Sequence, residues 1–296
     1  MKTHLLAAVV LATLSAVPAF AQSKLVLYTS QPDKDAQQTV DGFKKQNPGV
    51  EVEVFRSGTT EVMNKLLAEF MAGAPAADVL LIADAVSMER LKADNRLQAH
   101  PGADLAQFPA GAYDAGKTYF GTKLITTGIM YNTKSGLPKP ESWKDLLRPE
   151  AKNQVIMPSP LYSGAAVIHV GTLAAQPDLG WKYFEQLAAN GAVAGKGNGS
   201  IRDAVARGEK AYGVIIEYMA YGAKQEGSPV DFVFPKEGVT VVNQPVAIMK
   251  GARNVEAARK FVDFQLSPEA QLDAVKQNYF PLLKGIEPPK GYPDPA

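Results

Sequence analysis

Residues 24–60 read KLVLYTSQPDKDAQQTVDGFKKQNPGVEVEVFRSGTT, and their pattern decides the fold. The apolar run Lys24–Ser30 predicts a strand, and Asp33–Gln46 carries apolar residues at helical intervals until Asn47-Pro48-Gly49 ends the helix. The alternation in Val50–Phe55 predicts a second strand. A strand, a helix and a strand in this order are typical of a parallel sheet with a helix packed on its face.

The same alternation continues along the chain. Thr60–Met71 predicts a helix and Asp78–Ile82 a buried strand, so we expect a mainly parallel sheet covered on both faces. A second α/β set spans about Gly128 to Asn243, which predicts an α/β fold with two lobes. Further strands are predicted at 155–157, 211–216, 230–234 and 245–249, and further helices at 164–175, 179–189, 218–225, 254–266 and 268–277.

The amino terminus and the composition indicate an exported protein. Met1–Ala21 has one lysine, a short apolar run and the ending Ala19-Phe20-Ala21, which predict a signal peptide cleaved after Ala21 and a periplasmic location. The chain has 31 Lys and Arg against 30 Asp and Glu, and this balance argues against nucleic-acid binding. Because cysteine is absent, disulfides, thiolate zinc sites and thiol nucleophiles are excluded.

Turns rich in Ser, Thr and Gly occur where ligands bind in such folds, at the carboxyl ends of strands and the starts of helices. The candidates are Ser30, Ser57-Gly58-Thr59-Thr60, Asp84 and Ser163-Gly164-Ala165. The turns at predicted helix starts are Ser57-Gly58-Thr59-Thr60, Ser163-Gly164-Ala165 and Asn198-Gly199-Ser200. Their free amides and the positive end of the helix dipole favour a phosphate or phosphonate, without any arginine. The alternative is that these are ordinary helix caps, which is our interpretation of Ser200, because Asp203 follows it in a capping-box position.

Several motifs carry a resemblance to a known family. They are the leader, Leu25-Val-Leu-Tyr-Thr-Ser30, Phe43 with Pro48, Val50 and Val52, Ala77-Asp-Val-Leu-Leu81, Gly128-Ile-Met-Tyr-Asn132, Pro140-x-Ser-Trp-x-Asp-Leu146, and Ala257-x3-Phe261-x-x-Phe264-x-x-Ser267-x-Glu269-Ala-Gln271. Together they resemble a periplasmic solute-binding protein of an ABC importer. The similar group includes binders of ferric iron, phosphonates, thiamine and sugar phosphates.

The resemblance implies a type II periplasmic-binding-protein fold. Lobe 1 would comprise residues 22–125 and 246–296, and lobe 2 residues 126–245. Strands near Lys123–Thr127 and Asn243–Val246 would cross between the lobes and form a hinge that closes on the ligand. We expect a monomer without a cofactor, whose partners are a small molecule and an inner-membrane permease.

The cluster Glu217-Tyr218-Met219-Ala220-Tyr221 leaves two interpretations open. Iron-binding relatives have two adjacent tyrosines here as metal ligands, but Met219 replaces the second, and a thioether suits ferric iron poorly. Tyr218 and Tyr221 remain helical neighbours that could share one ion. Alternatively, Glu217 faces an amine of a zwitterionic ligand, unless it pairs with Lys224 or lies in solvent. Asp84 either binds an amine or hydroxyl, or caps the next helix.

We therefore expect a binding protein for a phosphonate, such as 2-aminoethylphosphonate, or a phosphate ester. A ferric-iron binder using Tyr218 and Tyr221 is the alternative, and a secreted hydrolase is the rival from another class. We expect no enzyme, because the chain lacks nucleophile-elbow, phosphate-loop, dinucleotide and zinc-protease motifs. His169 lies in an apolar helix and is interpreted as packed. The expected ligand-binding residues are Ser30, Ser57, Gly58, Thr59, Thr60, Asp84, Thr127, Ser163, Gly164, Ala165, Glu217, Tyr218 and Tyr221, with no metal site.

Overall fold

The computed structural model describes residues 23–292. The signal peptide predicted at Met1–Ala21 lies outside these residues. In the part of the chain that is described, no helix has both the length and the apolar composition needed to cross a membrane.

The chain forms two α/β lobes, each built on its own sheet. Lobe 1 begins with β1 Ser23–Thr29, α1 Asp33–Gln46, β2 Val50–Arg56, α2 Thr59–Met71, β3 Val79–Leu81, α3 Ala85–Ala93, β4 Leu97–Gln98 and β5 Tyr119–Gly121. Lobe 2 follows with β6 Lys123–Asn132, β7 Val155–Pro158, α4 Gly164–Ala174, α5 Gly180–Ala189, β8 Val193–Gly195, α6 Asn198–Ala206, β9 Tyr212–Ile216, α7 Glu217–Gln225, β10 Val230–Val233 and β11 Thr240–Val242. The chain ends with β12 Pro245–Met249, α8 Val255–Leu266, α9 Pro268–Lys276 and β13 Phe280–Pro281.

The sheet of lobe 1 has the strand order β2-β1-β3-β12-β4, with β5 paired to β12. β1 runs parallel to β2 and β3, as the strand–helix alternation predicts, while β12 is antiparallel to its neighbours. Both faces are covered. Leu25 and Leu27 pack on one face with Phe43 and Phe261, and Tyr28 packs on the other with Leu66.

The sheet of lobe 2 is organised by one long strand, β6, which pairs antiparallel with β9, β10, β11 and β13. Among residues 23–292, the parallel pairs of this sheet are β7 with β8 and β7 with β9. The predicted strand at 155–157 and the helices after it are present, with helix ends within a residue or two of the expected positions. Periodicity did not predict β6, because it is buried along almost its whole length and carries no alternation.

Two crossings connect the lobes. Thr122 links β5 of lobe 1 to β6 of lobe 2, and Asn243-Gln244 links β11 back to β12. The two crossings bond to each other, since Thr122 donates to the Gln244 carbonyl oxygen from its hydroxyl at 2.8 Å and its amide at 3.3 Å. Tyr279, near the carboxyl end, packs in the core of lobe 2 although Leu282 packs in lobe 1, and the exact limits of the lobes stay a prediction.

His169 is a packed residue in the core of lobe 2. Its ring lies 4.7 Å from that of Trp143 and 6.5 Å from that of Phe184, between ring centroids, and its exposed fraction is 1%. Neither ring nitrogen has a hydrogen-bond partner among the described residues. Burial therefore lowers the pKa of His169 to about 3.

Candidate functional site

A cavity of about 280 Å³ lies between the two lobes. It opens between the carboxyl ends of the lobe 1 strands and the helix starts of lobe 2. It is lined by Ser30, Pro32, Arg56, Gly58, Thr59, Ala83, Ile125, Tyr162, Ser163, Gly164, Ala165, Lys196, Gly197, Asn198, Gly199, Ser200, Ile216, Tyr218, Met219, Gln244 and Tyr279.

Four helices begin at this cavity: α2, α4, α6 and α7. The first amides of a helix have no carbonyl partner within it, and the dipole makes this end positive. Ser163 caps α4 by accepting from the Ala166 amide at 3.3 Å, and Asn198 of α6 donates its side-chain amide to the same Ser163 hydroxyl at 3.4 Å. The starts of α4 and α6 are thus held together.

Two cations line the cavity, one from each lobe, and the sequence analysis missed both. Arg56 ends β2, and its Nε donates to the Gln31 carbonyl oxygen at 2.6 Å while Nη1 donates to the Tyr162 hydroxyl at 3.4 Å. Lys196 precedes α6, with Nζ 4.8 Å from the centroid of the Tyr162 ring. An arginine thus lines the cavity in which the sequence analysis expected an anion to be held without one. The signal was available for Arg56, which directly precedes the turn 57–60 at the end of a strand.

The lobes touch each other along a seam at the edge of the cavity. The Thr60 amide donates to the Tyr162 carbonyl oxygen at 3.3 Å, and the Thr60 hydroxyl donates to that of Pro160 at 3.2 Å. Glycine is required at two places on this seam. A Cβ on Gly58 would lie 2.6 Å from Cδ2 of Tyr162, and a Cβ on Gly164 would lie 2.7 Å from the Ala83 carbonyl oxygen.

Seven of the thirteen predicted ligand-binding residues line the cavity, and six do not. The seven are Ser30, Gly58, Thr59, Ser163, Gly164, Ala165 and Tyr218, and the six are Ser57, Thr60, Asp84, Thr127, Glu217 and Tyr221. Ser57 is turned outward and donates to the Glu61 carboxylate, and Thr60 bonds across the seam. Thr127 is buried in β6, between β9 and β11.

Asp84 is a helix cap. Its carboxylate accepts from the amides of Val86 at 2.9 Å and Ser87 at 3.2 Å, and also from the Ser87 hydroxyl. All of these donors belong to the first turn of α3, so the capping interpretation of Asp84 describes what the structure shows. Ser200 is not the cap of α6. It is the third residue of that helix, and its hydroxyl bonds back to the Gly197 carbonyl oxygen at 2.8 Å.

Glu217 is fully buried and adopts none of the three arrangements weighed from the sequence. One carboxyl oxygen accepts from the Thr126 amide of β6 at 2.5 Å, and the other has no partner among residues 23–292. Lys224 pairs with Asp231 instead, at 2.8 Å. Burial raises the pKa of Glu217 to about 8, so the side chain is a neutral acid at lower pH.

The tyrosine pair proposed for iron is separated. Tyr218 lines the cavity and stacks on Tyr279 with ring centroids 3.9 Å apart, whereas Tyr221 stacks on Tyr292 at 4.1 Å and does not line the cavity. Tyr279 donates to Asp35 at 2.6 Å. Burial raises the pKa of both Tyr218 and Tyr279 well above the usual value, which disfavours phenolate ligands. Among residues 23–292 there is no group of three His, Asp or Glu side chains arranged to hold a metal ion.

Comparison with known proteins decides the family. The profile described as "Bacterial extracellular solute-binding protein" matches residues 28–272, most of the chain. The chain is a member of this family. It is the periplasmic solute-binding component of an ABC importer, with a small-molecule ligand and a permease as partners, and it is not an enzyme.

Individual relatives differ in the solute that their names mention. A periplasmic protein of Salmonella typhimurium named for 2-aminoethylphosphonate binding is 27% identical over 92% of this chain and 82% of its own length. The putrescine/cadaverine-binding protein of Pseudomonas aeruginosa is 29% identical over 90% of this chain and 80% of its own. An uncharacterized Haemophilus influenzae protein is 33% identical over a match that covers 47% of this solute-binding protein and 40% of that relative.

A solved structure agrees closely in fold. The periplasmic binding protein AfuA from Actinobacillus pleuropneumoniae, with exogenous fructose-6-phosphate bound, superimposes with a TM-score of 0.83. The two proteins are 25% identical, and the match covers 91% of this chain and 88% of AfuA. The two-lobed fold expected from the sequence is confirmed.

Proposed function

We propose that this solute-binding protein captures a small phosphonate or phosphate ester, with 2-aminoethylphosphonate as the best candidate. One observation carries the proposal: the cavity is lined by the starts of four helices and by Arg56 and Lys196, and no lining residue is a carboxylate. Amides at helix starts and cationic side chains bind oxyanions. A cavity of this composition selects negative charge.

The size of the cavity favours a small ligand. Its volume of about 280 Å³ is slightly below the roughly 300–1,000 Å³ typical of ligand pockets. A short alkyl phosphonate fits this space. In a zwitterionic ligand the amine would meet Gln244 and the Tyr218 hydroxyl, since Asp84 and Glu217 point elsewhere.

Two other solute classes fit less well. A polyamine carries several positive charges and needs carboxylates, which are not among the lining residues. Ferric iron prefers several anionic oxygen ligands, and Tyr221 lies outside the cavity that Tyr218 lines. Polyamines and ferric ion are therefore included in the ligand screen described below.

The contacts across the seam indicate how capture would work. The ligand would bridge the lobes and stabilise the closed form by its differential affinity for that form. Closure would then present the joined lobes to the permease.

A thermal-shift screen of phosphonates, sugar phosphates, polyamines, thiamine and ferric ion tests the proposal. A ligand that binds only the native state raises the melting temperature. We expect 2-aminoethylphosphonate or a phosphate ester to do so. A shift with a polyamine or ferric ion, and none with any phosphonate or phosphate ester, would refute the proposal.

Ser163→Ala sharpens this experiment, because it removes a hydroxyl that lines the cavity. Ser267→Ala is the matched control. Ser267 caps α9 as Ser163 caps α4, each accepting from an amide at 3.3 Å, but Ser267 is not a cavity residue. Both variants should lose similar intrinsic stability, typically about 1 kcal/mol. Only Ser163→Ala should also lose part of the ligand-induced shift.

A further inference from the structure

We infer that the cavity selects a doubly negative phosphoryl group, which one cation of each lobe holds when the lobes close. The inference rests on the proposed function, because it specifies the charge of the anion that this site takes. It identifies Arg56 and Lys196 as the residues that determine specificity.

Arg56 has hydrogen-bonding capacity left for a ligand. A guanidinium group has five N–H donors in a planar fork that matches two oxygens of a phosphoryl group. Two of these groups have protein partners, at Nε and Nη1. Its nearest carboxylate, that of Asp33, lies 3.7 Å away but is 88% exposed, so solvent screens this pair.

Lys196 is similarly uncompensated. Its Nζ lies 4.0 Å from the Glu61 carboxylate, and both side chains are largely exposed. Ion pairs of this kind contribute little, because water screens the charges and the long side chains lose freedom. The cavity wall therefore presents two positive charges that the protein itself does not neutralise.

Tyr162 brings the two cations to the same place. Its hydroxyl accepts from Arg56 of lobe 1, and its ring lies under Nζ of Lys196 of lobe 2. A Cβ on Gly197 would lie 2.8 Å from Cε1 of Tyr162, and a Cβ on Gly58 of lobe 1 would lie 2.6 Å from Cδ2 of the same ring. The ring is thus held in a slot between two glycines, one from each lobe, with Arg56 at its hydroxyl and Lys196 over its face.

A second negative charge gives the ligand a partner in each lobe. A monoanion is neutralised by either cation alone and leaves the other uncompensated in the closed form. A dianion pairs with both, so its second charge acts mainly in the closed form, where both cations face the same space. The preference for the dianion is therefore coupled to closure of the lobes.

The ionisable groups around the cavity bear on the pH dependence of binding. Besides the two cations, the ionisable groups lining the cavity are Tyr162, Tyr218 and Tyr279. Asp33 lies 3.7 Å from Arg56, and Glu61 lies 4.0 Å from Lys196. Of the groups next to the two stacked tyrosines, Asp35 accepts from the Tyr279 hydroxyl, Lys123 lies over the Tyr279 ring, and Glu217 directly precedes Tyr218. Burial places the pKa of Lys123 and that of Glu217 at about 8, above the range of the test. A phosphoryl group, in contrast, loses its second proton near pH 6.

The test compares 2-aminoethylphosphonate with its monomethyl ester, which stays a monoanion at the phosphoryl group. Calorimetric titrations at pH 5, 6 and 7 measure both affinities. Because about a tenth of the parent compound is dianionic at pH 5 and about nine-tenths at pH 7, we expect its affinity to rise roughly ninefold. The ester should bind at least tenfold more weakly at pH 7, with no pH dependence, and it reports any titration of the protein.

Arg56→Met should remove most of the preference for the parent compound and flatten its pH profile. Arg202→Met is the matched control, since Arg202 lies on α6 next to the cavity but pairs with Asp203 and is not a lining residue. Arg202→Met should keep both the preference for the parent compound and the pH dependence of its affinity.

Equal affinities for the two compounds, or a weaker ester together with a flat profile for the parent, would overturn the inference but leave the anion site intact. The second result would mean that the ester methyl group merely clashes. If neither compound binds at any pH, and no phosphate ester of the thermal-shift screen binds either, the proposed function is overturned and this inference with it.

Discussion

Replacing Gly164 with alanine tests whether the seam between the lobes is part of the bound state. Gly164 is the first residue of α4, and a Cβ there would lie 2.7 Å from the Ala83 carbonyl oxygen and 2.8 Å from the Thr59 side chain. Both neighbours belong to lobe 1, and Thr59 is only 3% exposed, so it has little room to move. The added methyl group would therefore push the lobes apart.

The size of the effect follows from the distances. Ordinary contact begins at 3.4 Å, so the lobes must separate by about 0.7 Å at this point or distort. Overpacking of this kind typically costs about 1–3 kcal/mol. The cost applies only to the closed form, because opening removes Ala83 from the methyl group. Ligand affinity should thus fall by about 5-fold to 140-fold, while the stability of the free protein changes little.

Calorimetric titration with the best ligand of the thermal-shift screen measures this loss. Gly171→Ala is the control, because Gly171 lies on the same helix and a Cβ there meets nothing within 4 Å. Its affinity should equal that of the wild type. If Gly164→Ala also binds with wild-type affinity, the lobes do not meet at this seam when the ligand is bound, and the mechanism of closure is wrong.

Two further predictions concern stability against pH. The folded state keeps the Glu217 proton up to about pH 8, while the unfolded carboxyl group loses it near 4.5. The free energy of unfolding should therefore fall as pH rises through this window, by at most about 1.4 kcal/mol per pH unit. Urea titrations at pH 5 and 7.5 should show a smaller fall for Glu217→Gln than for wild type, and an equal fall would contradict the burial argument. His169 has the opposite sign: its unfolded pKa of 6.5 lies above the folded value of about 3, so stability should decrease as pH falls between these values. His169→Leu should reduce that acid-side loss in the same measurement, and an unchanged slope would show that the folded imidazole takes up its proton.

Local sequence was sufficient for most elements of the fold. Helices such as α1 and α8 carry apolar residues at helical intervals and end at clear signals, so their bounds follow from the chain itself. The strand β6 was found only through the resemblance, since a strand buried on both faces lacks the alternation that marks a surface strand. The strand β6, which starts at a crossing between the lobes, is therefore an element that hydrophobic periodicity predicts poorly.

The cavity shows a similar division. Turns at helix starts identified Gly58, Thr59, Ser163 and Gly164, because the location of a helix start is a local property. The direction in which a side chain points is not a local property. Glu217 lies next to a cavity residue in sequence, yet it turns into the core to accept the Thr126 amide. Tyr279 reaches the cavity from the carboxyl end through the pairing of β13 with β6, which no local pattern contains.

The two cations also bear on the state of the protein without ligand. When the lobes close, Arg56 donates to the Tyr162 hydroxyl and Lys196 lies over the ring of the same tyrosine, and like charges that share a partly enclosed space repel each other more strongly than in water. An empty closed form therefore carries an electrostatic cost that an open form avoids. An anion removes this cost and adds attraction to both lobes, so its binding free energy depends on closure. We expect the free protein to be open for this reason, and small-angle scattering should show Arg56→Met to be more compact than wild type in the absence of ligand. Equal or greater compactness of the wild type would mean that the repulsion is screened and does not hold the lobes apart.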